Sequence, residues 1–161
     1  MIFATDIYNI DISKIIFCNQ IRNNVISGVF SKINYNTEFS LLNGLYILFP
    51  IEPTTHQHNT IEFNPYTEYN FKIIKILYNI ENHILNKYNR TNSTIELTKK
   101  KLILSSQLHT GFMKIYKDNS NSNSNITNNN NNKLVIKISG IWDTQELCGI
   151  TYKLYEGSHI T

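Results

Sequence analysis

The stretch Lys133–Glu156 reads KLVIKISGIWDTQELCGITYKLYE, two runs of alternating residues around the polar turn Asp143-Thr144-Gln145-Glu146. That pattern predicts a β-hairpin with one buried face and one wet face. Leu134, Ile136, Ile138 and Trp142 share one side of the first run, and Cys148, Ile150, Tyr152 and Leu154 share one side of the second. Strict alternation therefore places the Trp142 indole in the core. Lys137, Lys153 and Tyr155 fall on the opposite, solvent-facing side.

Outward from the hairpin, the chain reads as strands, a helix, then strands. Residues 1–24 suggest one or two short strands centred on Ile15-Ile16-Phe17, and Val25–Tyr35 alternates. Phe39–Ile51, FSLLNGLYILFPI, is apolar on both faces, as in a strand covered twice, with Gly44 marking a bulge or a close backbone approach. Pro50 and Pro53 end it, and 52–60 reads as a polar loop. Asn64-Pro65 predicts a helix start, with Asn64 as N-cap. Ile73, Ile74, Leu77, Ile80, Ile84, Leu85 and Tyr88 then recur at threes and fours, a strong helical signature. After it, Lys99-Lys100-Lys101 opens a β segment, LILSSQLHTGFMKIYK, bent at Thr110-Gly111. Residues 118–132 are Asn/Ser low complexity and read as a disordered hairpin loop.

About three strands before the helix and three after predict a mostly β, α+β fold. The expectation is a single OB-like domain over 1–161: a barrel of five or six strands with one long helix between the third and fourth. An α+β sandwich with the helix across one sheet, or a jelly-roll-like fragment, has the same element order.

With 161 residues, the chain can bury a real core, and ten Tyr and eight Phe exclude a disordered composition. The excess of Asn, Ile, Lys, Tyr and Phe tracks AT-rich codons, which discounts individual Asn residues as functional clues. A net charge of +3 permits a polyanionic partner without demanding one. Cys18 and Cys148 lack metal or redox spacing, and Cys148 falls on an apolar face as a reduced thiol. No basic leader, and no apolar run of the roughly eighteen residues that a span needs, is found. The expectation is an intracellular protein without membrane contact.

No catalytic signature emerges. His56-Gln57-His58 lacks partners for a metal shell, and His109 with Ser105 and Ser106 lacks a nucleophile elbow. Glycine-rich phosphate loops are missing. The reading is non-enzymatic, with no cofactor and no metal. The chemistry that does stand out is the wet hairpin face: Lys137 and Lys153 for phosphates and Tyr155 for stacking, extended by Lys114, Tyr116 and the run Lys99, Lys100, Lys101.

Ile138-Ser139-Gly140-Ile141-Trp142, Gly149-Ile150-Thr151-Tyr152-Lys153 and Leu42-Asn43-Gly44-Leu45-Tyr46 resemble segments of small proteins encoded by nucleocytoplasmic large double-stranded-DNA viruses. Some members of those families are distantly similar to phage-type single-stranded-DNA-binding proteins with OB folds. The resemblance covers about a quarter of the chain. It implies a viral protein of DNA replication that binds single-stranded nucleic acid, working in the host cytoplasm, a viral factory or the nucleus. The acidic tail common in such proteins is not matched by the ending Glu156-Gly157-Ser158-His159-Ile160-Thr161. The alternative is a virion structural or assembly protein, with a second copy or other viral proteins as partners.

Overall fold

A computed structural model describes residues 3–25, 27–57, 59–92, 99–117, 133–144 and 146–157. The Asn/Ser-rich segment expected to form a disordered loop at 118–132 lies outside them. Twelve strands are found among the described residues: β1 (Thr5–Asp6), β2 (Ile15–Phe17), β3 (Ile21–Arg22), β4 (Val29–Asn36), β5 (Leu41–Leu42), β6 (Leu45–Pro50), β7 (Pro53–Gln57), β8 (Thr60–Phe63), β9 (Lys99–Lys100), β10 (Phe112–Lys114), β11 (Lys133–Asp143) and β12 (Leu147–Glu156). Two α-helices accompany them, α1 (Glu68–Asn92) and α2 (Ile103–His109).

The β11–β12 hairpin forms as expected and is the spine of the main sheet. One edge of β11 is shared by two antiparallel partners, β6 along Lys133–Ile138 and β4 along Gly140–Asp143. The sheet runs β1-β6-β11-β12-β9 and branches through β4 to β2, β3 and β5. Among the described residues it stays open, with β1 and β9 as its ends, and does not close into the expected OB-like barrel. The long helix also follows eight strands, not three, because short edge strands in the first third of the chain carry too few residues to show a period.

Helix α1 buries all seven expected apolar residues, Ile73 through Tyr88, against the inner sheet face of Leu45, Ile47, Phe49, Ile136, Ile138 and Ile150. Burial of that many large side chains at about 1.5–3 kcal/mol each is the main force holding helix to sheet. Its start differs from expectation. Asn64 Oδ1 accepts from the Tyr66 N–H in a preceding turn, and Thr67 Oγ1 accepts from the Asn70 N–H at the true helix start. Asn70 is fully buried and bonds the backbone of Glu52 and Asn64, fixing where the helix enters.

Two segments depart from the sequence reading. The expected loop 52–60 contains β7, which pairs with β8 in a separate three-stranded sheet with β10. Its residues are mostly exposed, so the backbone ladder chiefly holds it and no apolar alternation marks it. The expected strand after Lys101 contains α2. Leu104 and Leu108, four apart, are buried, and the α1 residue Glu81 accepts from the N–H groups of Leu104 and Ser105 at 3.0 and 2.9 Å. Gly111, at φ 71°, stops the helix where the bend was expected.

Candidate nucleic-acid interface

The site is the face of the main sheet turned away from the helices. Register sets Tyr46, Lys137 and Lys153 side by side across β6, β11 and β12. Like charges directly opposed on a sheet destabilise it by a few tenths to about 1 kcal/mol. The two ammonium groups turn to different rings: Lys137 Nζ lies 5.4 Å from the Tyr46 ring centroid and Lys153 Nζ 5.2 Å from that of Tyr116. Lys114 Nζ is also 5.2 Å from the Tyr116 centroid. Such contacts at an exposed site are worth about 0.5–1 kcal/mol.

Tyr116 reaches this position because its N–H donates to the Leu154 carbonyl at 2.8 Å, pinning the chain after β10 to β12. Its ring centroid is 6.5 Å from that of Tyr155 at a tilt of 53°. Lys114, Tyr116, Lys137, Lys153 and Tyr155, far apart in sequence, are therefore brought together. Lys114 and Lys153 are exposed, whereas Lys137 and Tyr155 are half-buried. No carboxylate stands within ion-pair distance of Lys114, Lys137 or Lys153 among the described residues. The face is not open throughout, because Val135 between Leu48 and Tyr155 is fully buried.

The lysine run does not join them. Lys99 and Lys100 pair with Leu147 and Cys148 at the far end of β12, about 20 Å along the strand from Lys153 at the usual rise. The Lys100 ammonium is bound by Asn82 and Asn86 of α1 at 2.6 and 2.7 Å, so it fastens the helix to the sheet edge. Lys99, Lys100 and Lys101 are thus corrected from the expected surface to a separate edge.

Trp142 is the opposite correction. Register steps from Ile138 opposite Tyr152 to Gly140 opposite Thr151, leaving Ser139 as a bulge residue. One extra residue reverses alternation downstream. Ile141 thereby enters the core, and Trp142 turns to the face of Lys137 and Lys153. It lies half-buried, opposite Phe30 and Gly149. A methyl group at Gly149 would collide with the indole, and one at Gly140 with the Phe30 ring. The two glycines let these rings lie flat on the sheet. Lys32, opposite Gly140, is exposed on the same side. The sequence reading missed Tyr46, Phe30, Lys32 and Trp142. The Ser139-Gly140 step inside a strand pattern was the available signal, since an interior glycine often marks a bulge.

The inner side carries a second set of ionisable groups. Ser105 Oγ donates to Glu81 at 2.6 Å, and His109 Nδ1 meets the Ser105 carbonyl at 2.7 Å, so these two side chains do not form a nucleophile–base pair. Burial first, then nearby Asp143, pushes the Cys148 thiol up to about 11. Burial, then Glu81 and Tyr116, pushes Tyr152 up to about 12. Tyr88 is raised as well, chiefly by burial; its hydroxyl accepts from Gln20 and donates to Asp143. All three stay neutral, and Tyr88 and Cys148, bonded to Asp143 and Asn89, hold elements together. His56, expected in a loop, is on β7, where Nε2 meets Glu156 Oε1 at 3.0 Å and ties the small sheet to β12; His58 lies outside the described residues. No cluster of three or more His, Cys, Asp or Glu fit to hold a metal is found among the described residues. No helix among them is long and apolar enough to cross a membrane.

Comparison with known proteins finds no matching family model, no matching curated protein and no matching solved structure.

Proposed function

We propose that this chain binds single-stranded nucleic acid on the outer face of its main sheet. The observation that carries the reading is the directly opposed pair Lys137 and Lys153, which has no acidic neighbour in ion-pair range among the described residues. A sheet that needed only solubility would gain from a carboxylate at one of these positions. A phosphate backbone laid across them relieves the repulsion and releases counterions. Lys114 and Lys32 extend the track, and Trp142, Tyr116 and Tyr155 offer ring faces for unpaired bases, each stack being worth about 1–3 kcal/mol. The hairpin's resemblance to proteins of large double-stranded-DNA viruses, some of which are distantly similar to phage-type single-stranded-DNA-binding proteins, supports DNA as the strand.

The test is a titration of labelled oligothymidylate at low salt with the native chain and with Lys137→Glu/Lys153→Glu. Binding that falls in the double variant supports the reading, and no binding by the native chain removes it. A second reading, an assembly protein, is favoured by the exposure of Val25 (92%), Phe39 (94%) and Tyr66 (74%). It predicts self-association, in analytical ultracentrifugation, that the charge reversals leave unchanged.

A further inference from the structure

Beside the stacking face, the edge of β12 is interrupted. The Cys148 carbonyl accepts from the Lys101 N–H, and the Leu154 carbonyl accepts from the Tyr116 N–H, both at 2.8 Å. Backbone groups on a strand point alternately to its two edges, so Ile150 and Tyr152 present theirs to the same outer edge. Among the described residues, neither has a backbone partner there. The gap opens into a shallow cleft of about 420 Å³ between β12, β10 and α2. That volume lies within the range of small-ligand sites. Gln107, Tyr152, Lys114 and Tyr116 are among the residues that line it.

We infer that this cleft takes one unstacked nucleobase of the bound strand and reads its edge. This deepens the proposed function and rests on it. The chemistry matches a nucleotide at both ends. Outside, Lys114 and Lys153 flank Tyr116 and suit a phosphate. Inside, Ile103 and the Tyr152 ring give the cleft apolar surface over a floor of the buried Met113 and Ile150, and the N–H and C=O groups of the strand edge suit the hydrogen-bonding edge of a flat heterocycle. Gln107 Nε2 already donates to the Phe112 carbonyl at 3.0 Å, so the amide is oriented and offers its oxygen. An added peptide strand would use the same backbone groups, but β9 and Tyr116 close the gap at both ends. About 20 Å of strand edge separates the two closed points, which favours a compact ligand over a full added strand.

The test uses the full chain. Affinities for oligothymidylate, oligodeoxyadenylate and oligodeoxycytidylate of equal length are measured, and backbone amide resonances are followed as each deoxynucleoside monophosphate is added. One base is expected to bind about tenfold more tightly than the others, the low end of what one base-reading contact gives. The matching monophosphate should shift the Ile150 and Tyr152 amides saturably, and Gln107→Leu should shrink the preference while leaving binding of the other homopolymers in place. Equal affinities with unmoved amides would overturn the base-reading cleft and leave strand binding standing. Saturation of the same amides by an extended peptide, but not by nucleotides, would also overturn it. Loss of all oligonucleotide binding would instead remove the function on which it rests.

Discussion

At Lys153 stability and binding pull in opposite directions. Lys153→Glu places a carboxylate opposite Lys137 and turns a repulsive cross-strand pair into an attractive one. Set against the lost contact with Tyr116, the new pair should leave stability in urea unfolding level or a few tenths of a kcal/mol higher, while oligonucleotide affinity falls. Reduced stability with unchanged affinity would mean that the lysine serves the fold. Trp142 is the sole tryptophan, so its emission reports on the face without labelling. Oligonucleotide should quench it, and Trp142→Ala should weaken binding by about 1–3 kcal/mol. On the inner side, the raised Cys148 and Tyr152 groups give stability a direction in pH. The unfolded chain releases these protons near the ordinary values of 9.0 and 10.0, and the folded chain only near about 11 and about 12. The contribution is therefore complete below about pH 9 and is lost as pH rises through the folded values. Urea midpoints measured from pH 8 upward should fall across that window. A thiol reagent at pH 8 should spare Cys148 until the protein unfolds.

The short helix α2 depends on one residue of another helix. Glu81 is fully buried and receives two backbone N–H groups and the Ser105 hydroxyl. Glu81→Ala leaves those buried donors unpaired, and a loss of about 2–3 kcal/mol is expected in chemical denaturation, with α2 amides the first to exchange. A change under about 0.5 kcal/mol would show that α2 stands on its own packing. This dependence explains why Ile103–His109 reads as strand: its cap lies more than twenty residues upstream, and no local pattern carries it. Helix α1 is different. Its apolar stripe is long and periodic, and every residue expected to be buried is buried. The β11–β12 pairing was equally legible because alternation and a polar turn agreed. Trp142 was not, since the single extra residue at Ser139 reverses every position beyond it and alternation has no mark for that slip except the neighbouring glycine. The lysine cluster was partly legible: parity gave Lys137 and Lys153, whereas only the Tyr116–Leu154 backbone bond brings Lys114 and Tyr116 beside them.

Across the described residues, both helices lie on one side of an open sheet, and the rings and lysines occupy the other. A closed barrel would offer a groove, whereas this sheet offers a broad platform bordered by the small β7-β8-β10 sheet. The measurement that tests the account most directly is the affinity for a labelled single-stranded oligonucleotide as a function of salt. Three to four lysine–phosphate contacts on the platform predict a slope of log K against log salt of about −2 to −3, reduced by roughly 1 in Lys153→Glu. Binding whose strength ignores salt, or no binding at low salt, would contradict it.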